Sequence, residues 1–160
     1  MDWTEFGVQW LHILVGTFWF GGILFSNFVV IPAIMRLPVG GQAAAAHLIG
    51  EQANRIIPWF AIATIVLGVV RGTVFGEVKD VSALGTAYGI EWLVGLVAAV
   101  ATFAWGMWVV GPAAERMTAG GPASATAAEI GKVRLFALLE LLGFFVIFTT
   151  MILMHFAGEA

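Results

Sequence analysis

Four runs of apolar residues, each long enough to cross a lipid bilayer, dominate this chain. A spanning helix needs about 20 mostly apolar residues, because a hydrocarbon core ~30 Å thick is crossed at ~1.5 Å per residue. The runs fall at about 6–35, 56–75, 87–114 and 129–156. Of the 160 residues, 61% are hydrophobic and only 11% charged, whereas a soluble domain carries roughly 25% charged residues. A chain of this length has too little interior to hide that much apolar surface, so lipid must cover the rest. The expectation is an all-α integral membrane protein, an up-down four-helix bundle in which residues 1–160 form one transmembrane domain.

Charge and cysteine content narrow the function classes. The net charge of −3 points neither to nucleic acid nor to a polybasic membrane-surface patch. Without cysteine there is no disulfide, thiolate metal site or c-type haem attachment. The N-terminal MDWTEF carries two acids and no base, unlike the basic n-region of a secretory signal, so the first run reads as a retained helix.

The connections suggest an orientation. Residues 37–55 are alanine-rich, with His47, Glu51, Asn54 and Arg55 spaced for the wet face of a short interfacial helix ahead of Pro58. Residues 76–85 are short and hold Glu77, Lys79 and Asp80, and residues 117–128 read as a Gly/Pro-rich flexible loop. Arg36, Arg55, Arg116, Lys132 and Arg134 flank the first and third connections, against Arg71 and Lys79 at the opposite end. That asymmetry predicts a multi-pass cell (plasma or inner) membrane protein with both termini outside. Trp3, Trp10 and Trp92 are expected at the outer interface and Trp59, Trp105 and Trp108 at the inner one, with Trp19 inside a span.

An ionisable residue inside a span costs a few kcal/mol and needs a partner or a purpose. His12, Arg71, Glu91 and His155 lie on the four successive helices, each in the outer third. Two histidines on facing helices are what a b-type haem requires, one imidazole on either side of the iron. His12 and His155 are the candidate ligands, with Met151 as an alternative. Gly16 and Trp19 follow His12 on its own face, Gly21 and Gly22 follow nearby, and Phe148 precedes Met151 by one turn, so these residues suit a flat macrocycle and its walls. Arg71 suits a propionate, and Glu91 suits an acceptor that orients an imidazole.

Plainer readings stand beside these. Either histidine serves equally as an interfacial residue, Arg71 as a snorkelling cation or a structural partner of Glu91, and the glycines as helix-packing positions. Glu140 pairs naturally with Asn27 as a hydrogen-bonded contact within the bundle, and His47 suits a solvated inner surface. Two histidines and a carboxylate also suit a non-haem metal.

The first run reads LHILVGTFWFGGILFSNFVVIPAIMRLP. It resembles the opening helix of the copper resistance protein D family and of the related HemJ-type protoporphyrinogen oxidases, in which Leu-His, a Trp and Gly-Gly precede a Pro and an Arg. Here those positions are Leu11, His12, Trp19, Gly21, Gly22, Pro32 and Arg36. The segment TAYGIEWLVGLVAAV is similar to the family's entry to its third helix. The resemblance covers about half the chain. It implies a four-helix membrane core, haem b in one branch, copper handling in the other, and the first-helix histidine, His12, as ligand. The family's third helix often opens with a basic residue near the position of Glu91 or Trp92, and its absence here argues against porphyrinogen oxidation.

The leading expectation is a haem b-binding membrane protein, serving electron transfer or acting as a subunit of a redox complex. If it has enzymatic activity, that activity is a membrane oxidoreductase's. The alternatives are a copper transport or resistance component and a cofactor-free scaffold or assembly subunit. Expected partners are the lipid bilayer, other membrane redox subunits or a second copy of the chain, and no nucleic acid.

Overall fold

The computed structural model describes residues 2–119 and 127–157. The first helix begins at Trp3, where the Asp2 carboxylate accepts from the Thr4 amide, and runs to Phe25. It continues through a π-helical turn, Ser26–Val30, into Ile31–Ile34. The second spans Val39–Val70 and ends in a π-turn, Arg71–Phe75. The third spans Ala87–Trp105, passes through a π-turn, Gly106–Val110, and continues over Gly111–Ala119. The fourth spans Ala127–Ala157. Among the described residues there is no strand, and four helices are long and apolar enough to cross a membrane. The protein is thus an all-α, multi-pass four-helix membrane bundle.

Two boundaries differ from expectation. The interfacial helix expected at 37–55 is not separate, because it runs straight into the second span with Pro58 inside the helix. Proline removes one hydrogen bond of the helix ladder, a loss that membrane helices tolerate where neighbouring groups re-satisfy the backbone. Of the loop expected at 117–128, residues 120–126 lie outside the described residues, and the flanking residues are helical.

Lipid is as apolar as leucine, so close packing rather than water exclusion holds such helices together, and small residues let them approach. The third and fourth helices pack most extensively, followed by the first and second. Along the first of these seams, glycine on one helix repeatedly receives a polar side chain from the other. Gly95 faces the Thr150 hydroxyl, Gly143 faces Thr102, and Gly106 faces the Glu140 carboxyl. Trp105 closes this seam by donating its indole N–H to the Phe136 carbonyl at 3.0 Å. The first and second helices are joined partly by Phe18 stacked on Phe60, ring centroids 4.3 Å apart. The first and fourth meet through aromatics, with Trp19 4.8 Å and Phe20 5.1 Å from Phe144. Trp19, Ala61 and Phe144 form the buried core. Outward leucines, valines and phenylalanines are left for lipid, and Trp3, Trp59 and Trp108 are also largely exposed.

The connection between the second and third helices is tightly built. Lys79 donates to the Thr73 and Val74 carbonyls and so caps the second helix. Asp80 accepts from the Ser82 and Ala83 amides at the start of a 3-10 turn, Val81–Gly85, and Thr86 caps the third helix by accepting from the Gly89 amide. The Ser82 hydroxyl, then the Ala83 and Ser82 amides, hold the Asp80 carboxyl below the usual aspartate range. A lowered folded-state pKa contributes stability above the ordinary value, lost as pH falls through the depressed one. Protection of the Ser82 and Ala83 amides, relative to their intrinsic exchange rates, is therefore expected to fall in acid, and to be low at every pH in Asp80→Ala.

Candidate functional site

A cavity of about 680 Å³ opens between the four helices at the end where the first helix begins and the fourth ends. That volume lies within the ~300–1,000 Å³ typical of small-molecule and cofactor sites. His12, Gly16 and Trp19 line it from the first helix, Arg71 from the second, and Phe148, Met151 and His155 from the fourth. Seven of the eight residues singled out in the sequence therefore share one cavity. Its deeper wall is aromatic, with Phe20 and Phe144 beside Trp19, and Phe20 packs edge-on against Phe148 at 4.8 Å. Exposed Glu77 and His155 and half-buried Tyr88 mark the side where the cavity meets the surface.

His12 is seated by the second helix. The imidazole lies over Gly68, where a Cβ would stand only 3.1 Å from the ring's Cε1. Among the described residues its buried Nδ1 makes no well-aligned hydrogen bond, and the Thr64 backbone carbonyl lies beside the ring. The residue also lines the cavity, so its imidazole can meet a ligand held there. Gly16 packs towards the Thr64 methyl group, 3.4 Å from where its own Cβ would lie, and thus serves the helix crossing as well as the cavity wall.

Several expected pairings are corrected. Arg71 does not pair with Glu91. Its Nη2 lies 3.2 Å from the Glu5 carboxylate and its Nε donates to Gln9 at 2.9 Å, both on the first helix. Glu91 does not line the cavity, and its neighbour Trp92 does. Trp92 thus forms part of the cavity wall, and its indole N–H donates to the Gly68 carbonyl at 3.2 Å. Gly22 faces Ile57 and Gly21 faces open space, so neither glycine borders the cavity. Asn27 donates to the Ile23 carbonyl of its own helix at 2.9 Å and is not paired with Glu140.

Sequence reasoning also missed Gln9, Thr64, Gly68, Gly72 and Tyr88, which border the cavity. Gln9 and Gly16 flank His12 at helical spacing, and Gly68 and Gly72 stand four residues apart. That shared-face spacing was the available signal.

Among the described residues, no three His, Cys, Asp or Glu side chains gather as metal ligands. The donors around the cavity include two imidazoles and two thioethers, His12, His155, Met151 and Met154, with the Arg71 cation, the Tyr88 phenol, the Glu77 carboxylate, the Gln9 amide and the Thr17 and Thr64 hydroxyls. Imidazole and thioether are the axial ligands of haem iron, so this set fits a haem better than a hydrated divalent ion. These features define a four-helix membrane protein with an apolar, histidine-bearing cavity between its helices. No family model, no curated protein and no solved structure matches the chain.

Proposed function

We propose that the protein binds a b-type haem in this cavity and serves electron transfer in a membrane redox system. The observation that carries the reading is the convergence of His12, Met151 and His155 on one large aromatic-walled cavity. His12 is the ligand from the first helix, and His155 or Met151 the ligand from the fourth. Trp19, Phe148 and Gly16 line the ring. Arg71 and Tyr88 suit the propionates at the polar rim, with Glu5 and Gln9 holding the guanidinium in place. A bound haem supplies one-electron exchange, while these residues ligate, orient and exclude water.

The basic residues Arg36, Arg55, Lys132 and Arg134 are exposed at the end opposite the cavity. By the positive-inside rule, the cavity faces the outer side of a plasma or inner membrane, with both termini outside. Little of the chain projects from the bilayer, which suits a subunit working beside other membrane redox proteins.

His12→Ala tests the ligand assignment. Its haem content is expected to fall at least about tenfold, because iron ligation is removed together with ring packing. An unchanged low-spin spectrum in that variant would refute the role of His12. A second reading is a copper(I) site, favoured by Met151 and Met154 lining the cavity beside His155, since thioethers select that ion. It predicts copper in the purified protein and no haem absorption.

A further inference from the structure

Glu140 belongs to a different place in the fold. It lies near the middle of the fourth helix, 4% exposed, deep in a span. Its carboxyl is packed against Gly106, where a Cβ would come 2.5 Å from Oε1. It makes no hydrogen bond or ion pair with a described residue. Beside it is a small, partly open chamber of about 40 Å³, with room for one water, for which the carboxyl is the polar side chain in the lining. Trp19 and Ile23 face the chamber from the first helix, Ile57 and Pro58 from the second, and Phe103 and Met107 from the third. None of these is titratable or charged.

Two further observations bear on its role. The third helix is π-helical over Gly106–Val110, where it faces the carboxyl, and single π-turns of this kind are frequent at functional sites. Trp19 lines both this chamber and the main cavity, which makes its indole the expected partition between them. A carboxyl placed in hydrocarbon with neither cation nor hydrogen-bond donor is costly, and such residues mark ion and proton pathways.

We propose that Glu140 and its chamber form a proton-loading site, in which the carboxyl takes up and releases one proton through a water held in the chamber. The step is the protonation of a carboxylate to a carboxylic acid, with no change of oxidation state. It places an exchangeable charge one indole away from the main cavity. The site does not depend on what the main cavity binds.

Infrared spectroscopy of the intact protein in bilayers tests this, because a protonated carboxyl has a stretching band distinct from that of a carboxylate and shifted in heavy water. A carboxylic acid band is expected from Glu140, because a carboxylate there would have neither cation nor hydrogen-bond donor. It is expected to shift in heavy water, to disappear as pH is raised, to be lost in Glu140→Gln, and to return in Glu140→Asp. Gly106→Ala, which presses a methyl group onto Oε1, is expected to move the band while keeping the residue. Carbon-13 labelling of glutamate assigns the band even if Glu140→Gln fails to fold. Absence of a glutamate carboxylic band, or one that neither exchanges nor titrates, would overturn the proposal and leave Glu140 as a packing contact. Either result can be read in haem-free protein, so it is separable from the fate of the haem reading.

Discussion

Gly72→Ala is expected to destabilise the bundle by about 1.5–4.5 kcal/mol, through overpacking at roughly 1–3 kcal/mol and a lost half-buried hydrogen bond at roughly 0.5–1.5 kcal/mol. The added Cβ would collide with the Trp92 indole. That ring cannot retreat without giving up the bond from its N–H to the Gly68 carbonyl. Both Trp92 and Gly68 line the cavity, and the His12 ring rests on Gly68, so the variant is also expected to disturb the proposed haem site. Gly21→Ala is the control. Nothing lies within 4 Å of a Cβ there, and exchanging glycine for alanine within a helix is worth about 0.5–1 kcal/mol in its favour. Denaturant unfolding in mixed micelles compares the two. Equal stability would show that Trp92 does not pack against the second helix.

Trp19→Ala carries the second large effect. The indole is 3% exposed and packs edge-on against Phe144 at 4.8 Å and Phe103 at 6.4 Å. In a soluble core such a truncation costs about 3–5 kcal/mol. In a bilayer the water-exclusion share shrinks and the lost packing remains, so about 2–3 kcal/mol is expected. The same change opens the main cavity into the Glu140 chamber, because Trp19 lines both. Faster hydrogen–deuterium exchange of the Glu140 carboxyl is the expected sign of that opening, and an unaltered exchange rate would show that the indole is not the partition.

The spans were legible because apolar length alone marks them, and the cavity end was legible because His12, Arg71 and His155 are costly within a span. Periodicity within a helix also placed Gly16 and Trp19 with His12, and Met151 and Phe148 with His155. What periodicity does not carry is the choice of neighbour. Glu91 and Trp92 differ by one residue, about 100° around the helix, and the tryptophan faces inward. Arg71 takes Glu5 and Gln9 because the first and second helices are close-packed, an arrangement set by interhelical register. The π-turns at Ser26–Val30, Arg71–Phe75 and Gly106–Val110 shift the phase of each helix by local backbone geometry, to which an apolar run gives no clue. Asn27 and Glu140 stood level on a simple antiparallel count, yet Asn27 bonds within its own helix and Glu140 seats against Gly106.

The central claim is that the cavity holds a haem. The absorption spectrum of the intact protein, purified after haem-replete expression and recorded oxidised and then dithionite-reduced, tests it most directly. The account predicts a low-spin b-type spectrum that sharpens on reduction, with one haem per chain. A colourless, well-folded preparation would contradict it.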